Sequence, residues 1–134
     1  TQEEVGQRLA ADPGSKAYGA LSVIVRYAYK VEKLFRVAPG NFLPRPAVQS
    51  AVLRLTPYPK PPVDVCDEGL LVRVIKASFQ HRRKMLHHAV NRLLPESAET
   101  VTEQSGIDLR RRGETLSLDE FARLTDTLRK SGLQ

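Results

Sequence analysis

Cysteine is nearly absent from this 134-residue chain, with Cys66 the single example. One thiol excludes an internal disulfide framework and fits a reducing compartment. Long apolar runs are also missing. None approaches the ~18 residues that read as a membrane span. The opening residues show no charged-then-apolar stretch, and no secretory signal is expected. The sequence holds no GxGxxG or GxxxxGKS/T loop and no GxSxG elbow, which removes the usual phosphate, dinucleotide and serine-hydrolase signatures. Histidines number three. His81 and His88 could share a helix face, but two imidazoles without a third ligand do not make a metal site, and no metal is expected. There is no internal repeat, and low complexity is confined to the prolines.

What remains is ordinary globular material: 41% apolar and 27% charged residues, enough for a modest core in one small domain or a domain with an appendage. Basic residues exceed acidic ones by 21 to 15, giving a formal net charge of +6 and a pI near 9.8. The chain starts at Thr1 and enters at once what reads as a helix, so it is expected to be a piece of something longer.

Residues 2–11 read as a helix, with Glu3 and Glu4 in the first turn where the helix dipole favours them, and Asp12, Pro13 and Gly14 as its stop. A second helix is predicted over residues 18–30, where Leu21, Ile24, Val25 and Ala28 follow helical spacing. Strands are predicted at Val31 to Val37 and Val48 to Leu55, around a turn at Pro39, Gly40 and Asn41. In the second strand Ala51, Leu53 and Leu55 share a face. Residues 57–68 contain Pro57, Pro59, Pro61 and Pro62, which favour extended geometry and suggest a linker. A charge split supports a boundary: residues 1–62 carry a net +5 and residues 63–134 a net +1.

The second part reads as all-helical. Leu71, Val74, Ile75 and Phe79 form one stripe. Continued at helical spacing, it meets Arg82 and then Leu86, Val90 and Leu93. A buried unpaired arginine is costly, so the helix should break near Gln80 to Arg82. Residues 96–105 form a short helix closed by Gly106. Ser117 to Glu120 is a capping box, with Leu118, Phe121, Leu124 and Leu128 as the buried face beyond it.

Two basic runs stand out. Residues 76–92 hold five basic residues and no acidic one, with Arg82, Arg83 and Lys84 in succession. Arg110, Arg111 and Arg112 form the second run. Either alone reads as a solvated basic face; together with the net charge they point to nucleic acid. A third signal is the stretch from Asn41 to Ser50, where Pro44 and Pro46 stiffen a loop directly after Phe42. Such a loop loses little entropy on ordering and could hold an aromatic ring over an unstacked base. The plainer alternative is that Phe42 packs beneath a strand entry.

Five segments in order resemble one family. Gln2 to Val5 with Arg8 and Leu9 resembles QKEVxxRL, and Tyr18 to Val23 resembles YGxLSV. Phe42 to Ser50 resembles FxPxPxVxS, and Phe79 with Arg82, Arg83 and Lys84 resembles FxQRRK. Gly106, Ile107 and Asp108, then Arg112 to Glu114, then Leu116, Ser117 and Phe121 resemble GID…RxE…LSxxxF. The chain is similar to the C-terminal half of a KsgA/RsmA-type ribosomal RNA small-subunit adenine-N6 dimethyltransferase. The related Erm methyltransferases share FxPxPxVxS, but the GID…RxE…LS ending points away from them.

The resemblance implies an α+β fragment: the end of a Rossmann-like methyltransferase sheet (helices plus about two strands) over residues 1–59, a proline-rich linker at 60–68, and an all-helical rRNA-binding domain at 69–134. It implies a parent enzyme, cytoplasmic and without an obligate protein partner. That enzyme transfers methyl groups from S-adenosylmethionine to N6 of two adjacent adenosines in the 3′-terminal hairpin loop of small-subunit rRNA, during assembly of the immature small ribosomal subunit. The family's cofactor motif and its NLPY-type catalytic loop have no counterpart in these residues, so the chain alone is expected to bind no cofactor and to be inactive. Exposed strand edges in such a fragment would favour self-association.

By position, Phe42 corresponds to the family's aromatic that stacks on the target adenine. Arg8, Arg82, Arg83, Lys84 and Arg112 correspond to positions presented to rRNA, with Arg45 and Arg110 added from charge and location. Departures from the pattern are Ala47 and Gln49 where the family has Lys and Asp, His81 for Gln, and Gly113 for Ala. Two further readings stand beside this one. One is a non-enzymatic RNA- or ribosome-binding helical module. The other is a helical DNA-binding protein, disfavoured because the last helix carries Asp119, Glu120 and Asp126 rather than base-reading side chains.

Overall fold

A computed structural model of the chain describes residues 7–37, 50–80 and 84–133. The chain divides into two units, one of residues 1–12 and 16–62, the other of 13–15 and 63–134. Residues 2–6 of the first predicted helix, the predicted turn at residues 39–41, the Phe42 to Gln49 loop and residues 81–83 lie outside the described residues.

In the first unit, residues 7–9 are helical. Helix α1 spans Ala20–Ala28, followed by strand β1 (Tyr29–Val37) and strand β2 (Ser50–Pro57). The strands pair antiparallel from Tyr29 with Pro57 to Val37 with Ser50. The register slips between Lys33 and Phe35, leaving Leu34 as the extra residue of a bulge. Glu32 opposes Arg54, with their charged groups 3.5 Å apart. Leu53 is half-buried and Leu55 exposed on the apolar face expected for β2.

The buried face of α1 differs from the one its spacing predicts. Leu21 and Ala28 are exposed and Ile24 and Val25 half-buried, whereas Ser22 and Val23 are fully buried. The cause is a polar tie. The Ser22 hydroxyl accepts from the Gly19 N–H at 3.1 Å and donates to the Arg8 carbonyl. A buried hydroxyl with both functions used carries little desolvation cost, so it can turn inward together with Val23.

The second unit holds helices α2 (Glu68–Gln80), α3 (Leu86–Leu93), α4 (Ala98–Ser105) and α5 (Leu118–Lys130), with a 3-10 turn at Gly113–Thr115. Helix α2 is described as far as Gln80 and α3 begins at Leu86, with Lys84 and Met85 outside both, so the helix does not run on through this segment; Arg82 lies outside the described residues. Arg92 in α3 reaches back to the end of α2, donating to the Gln80 side chain at 2.9 Å and the Ala77 carbonyl at 3.2 Å. Gly106, at φ 72°, closes α4 in the left-handed region. Ser117 and Glu120 form the expected box on α5. The core joins Leu71, Val74 and Ile75 of α2, Leu86 and Val90 of α3, and Phe121, Leu124 and Leu128 of α5, all buried. Phe79 meets Phe121 with ring centroids 5.9 Å apart.

Candidate RNA-binding surface

The site-bearing segments of the second unit are joined by a short antiparallel seam. Met85 and Arg112 form a β-bridge. The Leu86 N–H donates to the Arg111 carbonyl at 2.7 Å and the His87 N–H to the Leu109 carbonyl at 2.9 Å. Directly opposed residues in such a ladder project from the same face, which sets Met85 beside Arg112. The seam brings the backbone next to Lys84 alongside Arg112, although successive residues alternate faces, so Met85 rather than Lys84 shares the face of Arg112. Lys84 and Arg112 are both exposed.

The Arg112 turn is tightly built. The Thr115 N–H and hydroxyl both donate to the Arg112 carbonyl, at 3.0 and 2.7 Å. The Gly14 N–H donates to the Glu114 carbonyl at 2.7 Å. Gly113 presses on the last turn of α2, where a Cβ at position 113 would lie 2.7 Å from the Ser78 carbonyl oxygen. Gly113 is therefore a close-approach glycine in this chain.

The second arginine run is not a bare basic patch. Arg110 holds Asp108, with Nη2 2.9 Å from Oδ2 and Nε 3.1 Å from Oδ1, and its own N–H also donates to Oδ1. These bonds keep the Asp108 carboxyl below the usual carboxylate range. Arg111 turns the other way and grips Glu120, with Nη2 3.1 Å from Oε1 and Nη1 bonded to Oε2. The Arg111 bond holds the Glu120 carboxyl down despite its partial burial. Arg112 stands 3.7 Å from Glu114. Each guanidinium thus faces its own carboxylate, and the run offers far less net charge to a polyanion than its sequence suggests.

The remaining expected residues are placed as follows. Arg8 is exposed in the first unit, its backbone fixed by Ser22. Phe42, Arg45, Arg82 and Arg83 lie outside the described residues. Sequence reasoning did not single out Ser22, nor the distinct partners of Arg110 and Arg111. The usable signal was the serine of the YGxLSV segment and the spread of acidic residues at positions 108, 114 and 120.

His87 and His88 meet edge to face at 5.6 Å, and among the described residues no group of three or more His, Cys, Asp or Glu could hold a metal. An open cleft of about 550 Å³ beside the seam is lined by His87, Glu99, Thr102, Gly106, Asp108 and Arg110, among others. Among the described residues no glycine-rich loop leads from a strand into a helix, since β2 is followed by Pro59, Pro61 and Pro62 before α2. No helix among them is long and apolar enough to cross a membrane.

A family model described as Ribosomal RNA adenine dimethylase matches residues 1–130. The chain is 44% identical, over 133 residues, to Ribosomal RNA small subunit methyltransferase A of Bacillus mycoides, and to the same degree to those of Bacillus cereus and Bacillus anthracis. Each match covers 95% of this chain and 46% of the relative, so the chain spans about half the length of the curated relatives it matches. Among solved structures, a dimethyladenosine transferase from Plasmodium falciparum superposes with a TM-score of 0.83 at 22% identity, covering 98% of this chain and 56% of that one. The 23S rRNA methyltransferase ErmE gives a TM-score of 0.71 at 19% identity, covering 96% and 52%. At these identities the structures attest the fold.

Proposed function

Because this chain belongs to the ribosomal RNA adenine dimethylase family, we propose that it is the substrate-holding part of an enzyme that dimethylates N6 of two adjacent adenosines in the 3′-terminal hairpin loop of small-subunit rRNA. The observation that supports this reading is the seam that joins the segment of Lys84 to the Arg112 turn, with both residues exposed on the helical unit. Phosphate contacts of that kind fix the register of the RNA without reading its bases. Arg8, Arg45, Arg82 and Arg83 are proposed as further phosphate contacts. The partner is the rRNA of an immature small ribosomal subunit, met in the cytoplasm.

Phe42 is proposed to stack on the target adenine. The lone pair of an N6 amine is delocalised into its ring, so the amine is a poor nucleophile. Stacking holds the base so that the nitrogen can face the methyl donor, which lowers the barrier chiefly by orientation. S-adenosylmethionine would supply the methyl group, at residues outside this chain. The chain by itself is expected to bind neither that cofactor nor its demethylated product, and stoichiometric binding in calorimetry would contradict the assignment. In the intact protein, Phe42→Ala should lower methylation far more than rRNA affinity. Equal losses in both would refute the stacking role.

A further inference from the structure

Arg111 occupies the middle of the second arginine run, yet its guanidinium does not share the exposed face of Arg112. It is about one-third exposed and spans three groups on the two sides of a turn. Nε donates to the Thr115 hydroxyl at 3.2 Å, Nη2 to the Thr115 carbonyl at 2.7 Å, and the two Nη atoms hold the Glu120 carboxylate. Glu120 Oε1 also accepts the Ser117 N–H at 3.1 Å. The Arg111 carbonyl, on the opposite side of the residue, accepts the seam bond from Leu86. One residue therefore connects the first turn of α5 to the seam that carries Met85 and Arg112.

We propose that Arg111 is a positioning residue for RNA binding, clamped on Glu120 so that Arg112 is held in register against Met85 of the seam. The proposal rests on the reading of this surface as an rRNA contact. Its geometric basis is that the planar guanidinium fork fits a carboxylate and a carbonyl at once, a fit that a lysine ammonium cannot reproduce. The clamp withdraws Arg111 itself from the surface, leaving it 34% exposed against 53% for Arg112. Arg110 and Arg111 have their donors engaged by Asp108, Glu120 and Thr115.

The sign of one substitution separates this role from simple charge. Glu120→Gln removes a negative charge near the surface, so electrostatics alone predicts tighter RNA binding. Release of the clamp predicts weaker binding. The measurement is equilibrium binding of the intact protein to an RNA fragment carrying the 3′-terminal small-subunit hairpin, over a series of salt concentrations. Glu120→Gln and the charge-conserving Arg111→Lys should each weaken binding roughly five- to tenfold, and the double variant should lose little more than the worse single, as coupled neighbours do. Ser117→Ala removes the hydroxyl cap of the same helix but keeps the Arg111–Glu120 pair. It should lower Tm while leaving RNA affinity unchanged.

Binding by Glu120→Gln or Arg111→Lys that equals or exceeds that of the unsubstituted protein overturns the proposal. So does a loss in Ser117→Ala equal to theirs, because the effect would then follow helix stability alone. Arg112→Ala tests the underlying surface separately, since it should weaken binding and reduce the salt slope by about one phosphate contact. If Arg112→Ala changes neither, the surface assignment itself fails, and the positioning role falls with it.

Discussion

In the hairpin unit, Leu21, Tyr29, Leu34 and Leu55 stand 38–45% exposed, whereas in the helical unit Leu71, Val74, Ile75, Phe121 and Leu128 have no exposed surface. Among the described residues of the helical unit, Met85 on the seam is comparably open. The contrast follows from architecture. Four amphipathic helices can turn their stripes toward a common centre. A two-stranded ribbon has two faces, and α1 contributes only Ser22 and Val23 as fully buried side chains beside it. Single exposed apolar residues are normal on a protein surface. The difference between the units lies in where side-chain removal is felt.

The largest expected effect is at the centre of the helical unit. Phe121→Ala should cost about 3–5 kcal/mol in chemical denaturation, because the ring is fully buried against Phe79. A loss below about 1 kcal/mol would mean that the four helices do not share one core. Gly113→Ala comes next. Its Cβ would meet the Ser78 carbonyl oxygen at 2.7 Å and Ser78 Cβ at 3.0 Å, and backbone cannot rotate aside as a side chain can. A loss of about 1–3 kcal/mol is expected. Unchanged stability would show that the turn can slide off α2 without cost, and the α2 contact would then be no constraint on Arg112.

Ser117→Ala should cost about 1 kcal/mol, the usual value for a helix cap, since its hydroxyl accepts the Glu120 N–H at 3.3 Å. A related effect is expected in acid. The folded-state Glu120 carboxyl titrates below its ordinary value of 4.5 because Arg111 bonds its charged form. Stability from this pair is therefore fully present above about pH 4.5 and is lost as pH falls through the depressed folded value. Thermal melts between pH 6 and 3 should show a shallower acid decline for Glu120→Gln than for the unsubstituted chain. Parallel declines would place the acid sensitivity elsewhere.

The sequence was most readable where the governing interaction is short-ranged. Ser117 and Glu120 are three residues apart, and their box is visible as spacing alone. The interruption between α2 and α3 was readable because continuing the stripe would have buried an arginine. The left-handed cap at Gly106 was marked by the glycine itself. The face of α1 was not readable, because Ser22 is drawn inward by the carbonyl of Arg8, fourteen positions earlier. The three adjacent arginines read as one patch for a similar reason. Their carboxylate partners lie at positions 108, 114 and 120, and nothing in a run of like residues shows that neighbours diverge. Motif order, rather than composition, pointed to Phe42 as a functional residue.

The smallest expected effect tests the comparison from its open side. Leu55 lies on β2 opposite Val31 and is 44% exposed. Leu55→Ser removes apolar surface that is largely in water already, and threonine or serine hydroxyls remain hydrated there. The change should fall within about 0.5 kcal/mol, while Glu32 stays opposite Arg54. The same substitution offers a second measurement. If the open face drives contact between copies, Leu55→Ser should shift sedimentation toward the monomer without changing the melt of the helical unit. A destabilisation approaching that of Phe121→Ala would instead show that Leu55 is covered in solution, and the contrast between an open ribbon and a closed helical core would not hold.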